Sequence, residues 1–196
     1  MNVYIINAHH HYPFSEGKLN RTFVDKAISL FEGKGHRVKV LNVDDGYDVQ
    51  QELSNHQWAD FILLQSPVNW MGMPWPFKKY MDEVYTAGMS GELCNGDGRS
   101  REDASKHYGA GGTLTNKSYM LSLTFNAPKE AFDDPEQFLF QGKGVEDLMF
   151  PMHMNFRFFG MTAHPTFMSN DVMKNPDIEN DLNQFIQHIN QHILGE

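Results

Sequence analysis

The sequence predicts an α/β fold: one domain, residues 1–196, built on a doubly wound, five-stranded parallel sheet of order 2-1-3-4-5. Three observations predict it. Short apolar runs alternate with segments of helical periodicity along the whole chain. Connections are short, so each crossover helix must lie against the strands it joins. The third run, "ADFILLQS", is apolar enough for a strand covered on both faces.

The elements follow in order. "VYIINA" (residues 3–8) is the first strand. In "SEGKLNRTFVDKAISLFEGKG", Ser15 is a good N-cap, and Leu19, Phe23, Ala27 and Leu30 or Phe31 recur at helical spacing. Gly33 or Gly35 stops that helix. "HRVKVLNV" is the second strand, residues 49–56 form a short helix, and "ADFILLQS" is the third strand. Residues 78–85 read as helical, with Pro76 tolerated in the first turn. "SYMLSLTF" is the fourth strand and "MTAHPTFMSN" contains the fifth. Residues 145–159 read as a helix, and "DIENDLNQFIQHINQHIL" as an amphipathic C-terminal one.

In such a sheet ligands bind beyond the carboxyl ends of the strands, at the switch point between the first and third. That directs attention to the loops at residues 9–19, 67–75 and 126–132. The first enters a helix whose initial N–H groups favour a phosphate, with Lys18, Ser15, Asn20 and Thr22 nearby. It is neither a Walker sequence nor a GxGxxG fingerprint, and taken alone helix capping is its simpler reading. The second, "PVNWMGMPWPF", crowds large apolar groups behind a strand. Trp75 and Phe77 read as core. Pro67 and Gly72 punctuate a turn whose N–H groups suit a planar acceptor edge, with Trp70 at its rim.

Composition narrows the function classes. A formal charge of −9 opposes general attraction to nucleic acid or anionic membrane. The lone Cys94 excludes an intramolecular disulfide framework and fits a reducing compartment, and the N-terminal apolar run is short for a signal peptide or membrane span. The expectation is a cytoplasmic protein.

The motifs "SEGKLN", "SPVNWMGMPWPFKKYMDEV", "DGRSREDASKHYGAGG", "YMLSLTFNAPKEAF", "FFGM" and "FMSNDV" extend over nearly the whole chain. Together they resemble the flavodoxin-like NAD(P)H:quinone reductases, particularly those of the modulator-of-drug-activity-B type. The resemblance implies FAD as cofactor, NAD(P)H as co-substrate, a quinone as acceptor and a homodimer. It places the diphosphate and adenosine of FAD on Ser15, Gly17, Lys18, Leu19, Asn20 and Thr22. It places the isoalloxazine beside Pro67, Val68, Asn69, Trp70 and Met71, largely through backbone atoms, with Thr124, Phe125, Asn126 and Ala127 completing the site. Tyr108 matches a cofactor contact reaching across the dimer interface. Larger relatives use a Tyr and a His after the fourth strand; here "FNAPKEAFDDPEQFLFQGKG" has Phe132 and no His, so no catalytic side chain is carried over.

The mechanism this cofactor implies is ping-pong: hydride from NAD(P)H, then two electrons to the quinone, which bypasses the semiquinone and protects against redox cycling. Two other readings stand beside it, an FMN electron carrier and a regulatory flavoprotein of a potassium-efflux transporter. Residues 88–117 read as an ordered segment over a site or an interface, since thirty unstructured residues are unusual in a compact fold. No metal site is expected. His9, His10 and His11 are adjacent without converging, His188 and His192 read as an exposed helix face, and Cys94 reads as incidental.

Overall fold

The computed structural model describes residues 1–100 and 105–196. Five strand positions form a parallel sheet of order β2-β1-β3-β4-β5, with a short sixth strand also on β4. These strands are β1 (Asn2–Asn7), β2 (Arg37–Asn42), β3 (Phe61–Pro67), β4 (Ser118–Thr124), β5 (Thr162–Ala163) and β6 (Phe167–Ser169). The fifth position is thus divided. Between Tyr119↔Ala163 and Ser122↔Phe167, residues 164–166 lie opposite only residues 120 and 121, a one-residue bulge. Pro165 sits at its centre, where a residue without an N–H cannot continue a ladder.

Alternation along the strands divides the core in two. Val3, Ile5, Phe61, Leu63 and Met120 face α1 (Lys18–Gly33) and α6 (Ile178–Ile189), meeting Phe23, Phe31 and Phe185. Tyr4, Ile6, Ile62, Leu64, Tyr119 and Leu121 face the opposite layer. That layer holds α2 (Val49–Trp58), α3 (Trp75–Tyr80), α4 (Val145–Leu148) and α5 (Phe150–Phe158). Burial of Phe61 to Leu64 at 1% exposure or less explains why β3 reads as an unbroken apolar run.

Several expected boundaries move, each for a local reason. Ser15 does not cap α1: Gly17, at φ 80, is the N-cap, and Ser15 is drawn into a backbone pair with Tyr12. The helix is stopped by Gly35 (φ 78), just past its C-cap Lys34, with His36 N–H on the Phe31 carbonyl at 3.0 Å. The helix expected over 78–85 begins at Trp75, and Met81–Tyr85 continues it as a π-helical turn. Residues 145–159 break at Met149, one residue ahead of α5, which carries Pro in its first turn. Trp75, expected in the core, is 62% exposed, while Phe77 is fully buried as expected. His188 is half-buried rather than exposed, its Nε2 donating to the Pro165 carbonyl at 2.8 Å.

The same layer contains a buried carboxylate. Glu52 on α2 accepts from the hydroxyls of Tyr4 and Tyr80, the latter at 2.8 Å, and from Asn55 Nδ2 at 3.0 Å. Three donors compensate a charge that apolar burial would otherwise make very costly. No helix among the described residues is long and apolar enough to cross a membrane.

Candidate functional site

The carboxyl ends of β1, β3 and β4 bring three loops together. From β1 the chain passes His9, whose Nε2 lies 3.2 Å from Ser15 Oγ, and turns into α1 through Gly17. A Cβ at Gly17 would meet His9 Nδ1 at 2.4 Å, so both φ and space demand glycine there. Arg21 N–H, bonded to the Gly17 carbonyl at 2.9 Å, is the first in the helical ladder. The N–H groups of Lys18, Leu19 and Asn20 are left for an external acceptor, at the positive end of a 16-residue helix.

The start of α1, through Gly17, Lys18, Arg21 and Thr22, lines a cavity of about 570 Å³, which continues to Asn42, Asp44 and Asp45 beyond β2. Its side chains carry both signs of charge. Lys18, Arg21, His9 and His11 line it together with Glu16, Asp44 and Asp45. Asp44 is already occupied, by His10 Nδ1 and by the His11 N–H at 3.1 Å, which hold its carboxyl below the usual range against the effect of burial. Lys18 forms an exposed ion pair with Glu16 at 2.6 Å, and the Thr22 hydroxyl donates to the Lys18 carbonyl at 2.9 Å. The donor set suits a phosphate with a polar, hydroxyl-bearing extension.

After β3, Asn69 and Gly72 exchange N–H···O bonds of 2.9 and 3.1 Å around a two-residue turn. Its central residues, Trp70 (φ 50) and Met71 (φ 64), both occupy the left-handed region, unusual for bulky side chains. Their N–H groups have no acceptor among the described residues, and the Trp70 ring is 98% exposed. Val68 N–H, by contrast, is already committed to the Thr124 carbonyl at 3.0 Å. Trp75 stands edge-on to His10 at 5.6 Å, joining the first loop to the second.

A buried polar chain ties the three loops from beneath. Gln65 Nε2 donates to Asn20 Oδ1 at 2.9 Å, and Asn20 Nδ2 to Thr124 Oγ1 at 3.4 Å. Phe125 N–H donates to the Ser169 carbonyl at 2.8 Å. The Ala127 carbonyl accepts from Asp171 N–H at 3.1 Å and Asn170 Nδ2 at 3.2 Å, while Asn126 projects outward. Residues Ser15 to Thr22, Pro67 to Met71 and Thr124 to Ala127 therefore share one end of the sheet.

Tyr108 does not. It is 72% exposed and packs against Phe158 at 5.7 Å, where α5 descends to the amino end of the sheet. Described parts of the segment at 88–117 are ordered there, through a Cys94↔Gly112 bridge and Leu114 N–H on the Phe159 carbonyl at 2.9 Å. Residues 101–104 of that segment lie outside the described residues. Cys94 is buried within it, and burial pushes its thiol up. Sequence reasoning missed Gln65, Asn42 and Asp44. A polar residue at the end of a run as apolar as "FILLQ" was the available signal for Gln65.

Residues 1–193 match the flavodoxin-like fold family. The NADPH:quinone oxidoreductase MdaB of Haemophilus influenzae is 42% identical over 189 residues, covering 96% of this chain and 97% of its own. An uncharacterised protein of Schizosaccharomyces pombe is 41% identical over 190 residues, covering 97% and 96% respectively. Among solved structures, a quinone reductase of Klebsiella pneumoniae, described as putative in its name, superposes with a TM-score of 0.78 at 21% identity, over 97% of this chain and 84% of that one. The general stress protein 14 of Treponema denticola, in complex with FMN, superposes at 0.68 with 16% identity, over 97% and 98%.

Proposed function

The chain belongs to the flavodoxin-like fold family, in the branch of the modulator-of-drug-activity-B quinone reductases, and from that premise we propose that it is an FAD-dependent NAD(P)H:quinone oxidoreductase. The observation that carries the choice of FAD is the extent of the cavity at α1. It runs from Gly17 and Lys18 at the start of α1 to Asn42 and Asp45, farther than one phosphate requires. The residues present fit the group.

Bound there, the flavin supplies two-electron chemistry, accepting a hydride equivalent from NAD(P)H and delivering two electrons to a quinone in separate half-reactions. The protein's own tasks are binding and alignment. The α1 N-terminus with Lys18 and Arg21 holds the diphosphate. Asp45, whose Oδ2 accepts from Asn42 Nδ2 at 3.1 Å, offers an acceptor to hydroxyls of the adenosine portion. The free N–H groups of Trp70 and Met71 meet the polar edge of the isoalloxazine, and the Trp70 ring covers the rim against which flat substrates stack. Pro67, Asn69, Thr124, Phe125, Asn126 and Ala127 shape the remaining wall. No side chain is required as a covalent nucleophile.

The working unit in this reading is a homodimer. Tyr108 stands at the opposite end of the sheet from the flavin loops of its own subunit, so it reaches a flavin only across an interface. The test is steady-state oxidation of NADPH and NADH with menadione, with light scattering on the same sample. Turnover without a partner protein, in a dimer, is expected. Absence of turnover with flavin bound would favour an electron carrier or a regulatory flavoprotein, and full activity in a monomer would remove Tyr108 from the site.

A further inference from the structure

A second cavity lies away from the flavin loops, between α5 and the edge strand β5, beside the amino-terminal half of β4. Its volume, about 660 Å³, is in the range of small-molecule sites. Phe150, Met154 and Met161 supply apolar wall, and Arg157 is the guanidinium that lines it. None of these residues belongs to the loops at the carboxyl end of the sheet.

One side of the cavity is built from a run of polar side chains in close contact. The Tyr119 hydroxyl lies 2.7 Å from His153 Nδ1, and His153 Nε2 lies 2.7 Å from Glu146 Oε2. Glu146 also accepts from the Thr166 N–H and hydroxyl, each at 3.0 Å. Both oxygens of the one carboxylate in the lining therefore accept from Thr166, and the His153 imidazole stands beside Oε2. With Tyr119 fixed to His153 and stacked on Phe156 at 4.1 Å, this wall is rigid.

Arg157 is the exception. Its guanidinium has no hydrogen-bond or ion-pair partner among the described residues, although the chain carries a net charge of −9. It lies close enough to Tyr119 to oppose the rise, to about 12, that burial and Glu146 impose on that hydroxyl. Burial keeps His164, also in the lining, below the ordinary imidazole range, which leaves Arg157 as the permanent cation of the lining. A planar cation with five donors recognises a carboxylate through two parallel bonds. Thioether and phenyl walls suit a flat apolar body.

We propose that this cavity is a second binding site, distinct from the flavin site, for a small aromatic carboxylate held by Arg157. The ligand's carboxylate pairs with the guanidinium at the mouth, and its ring lies against Phe150, Met154 and Met161. The rigid Tyr119–His153–Glu146 chain forms the floor and accepts no further charge.

The test is calorimetric titration of the flavin-loaded protein with 2-naphthoate and with the isosteric neutral 2-naphthamide. Saturable binding of the acid is expected, with roughly tenfold weaker binding of the amide and of the acid to Arg157→Gln. A second variant, Met154→Trp, fills the cavity while leaving the guanidinium, and it should abolish binding. Flavin content and quinone turnover should match the parent protein in both variants, and 2-naphthoate should not raise the KM for menadione. Equal affinity for acid and amide, unchanged binding in either folded variant, or competition with menadione would overturn the proposal.

Discussion

The Val68 N–H donates to the Thr124 carbonyl at 3.0 Å, carrying the β3–β4 pairing one residue into the loops that follow. That bond removes one backbone donor from service to a ligand and makes the two loops a single unit. The donors left in the second loop belong to Trp70 and Met71. Their positions depend on a strained turn standing on that unit.

Val68→Pro is therefore expected to damage stability and cofactor retention together. It deletes the bonded N–H and further restricts Pro67 before it. A loss of about 1–3 kcal/mol is expected for a buried hydrogen bond, read as a lower urea midpoint of the flavin-free protein. An unchanged midpoint would mean that the bond does not organise the loops.

Trp70→Gly isolates the strain. With the side chain 98% exposed, little packing is lost, and glycine adopts φ 50 without a Cβ clash. The flavin-free variant should gain up to about 1 kcal/mol of stability while binding flavin and flat acceptors more weakly. Trp70→Phe keeps the ring and should retain flavin. A Gly variant less stable than the parent would show that the turn is unstrained.

Gly17→Ala places a Cβ 2.4 Å from His9 Nδ1 and forces alanine to φ 80. Loss of bound flavin is expected, with about 1–3 kcal/mol of destabilisation. His9→Ala should recover part of this in the double variant by removing the ring but not the strain. Strict additivity in that cycle, measured by urea unfolding, would place the damage elsewhere.

The pH response follows from His56. Fully buried, with Nδ1 donating to the Glu52 carbonyl at 2.9 Å, it is kept neutral by desolvation, and its folded pKa lies below the ordinary value. Its contribution is thus present above the unfolded value of about 6.5 and is lost as pH falls below it, because the unfolded state binds the extra proton. Stability should decline as pH falls below about 6.5, with a slope of up to about 1.4 kcal/mol per pH unit from this residue. His56→Phe should lower that slope. An identical slope in the variant would exclude His56 as the source.

Much of this architecture is legible because strands covered on both faces must be apolar throughout, as Phe61 to Leu64 are. Once their order is given, topology alone directs attention to the loops at 9–19, 67–75 and 126–132. Side-chain commitments are harder to read, since they are settled by neighbours distant in sequence. Ser15 has the chemistry of a cap, yet Gly17 takes that place because the loop must pass His9. Gln65 reads as the end of a strand, although its partner Asn20 lies 45 residues away. Trp75 has the hydrophobicity of a core residue, but the core beneath it is already filled by Phe77 and Tyr80.

The most direct measurement is anaerobic titration of the purified protein with NADPH and then menadione, followed by chromatography of the flavin released on heating. The proposed function predicts a yellow protein whose flavin absorbance is bleached by one equivalent of NADPH and restored by one of menadione, releasing FAD. Release of mainly FMN would contradict the dinucleotide site at α1, and a bound flavin that NADPH does not bleach would contradict the enzyme itself.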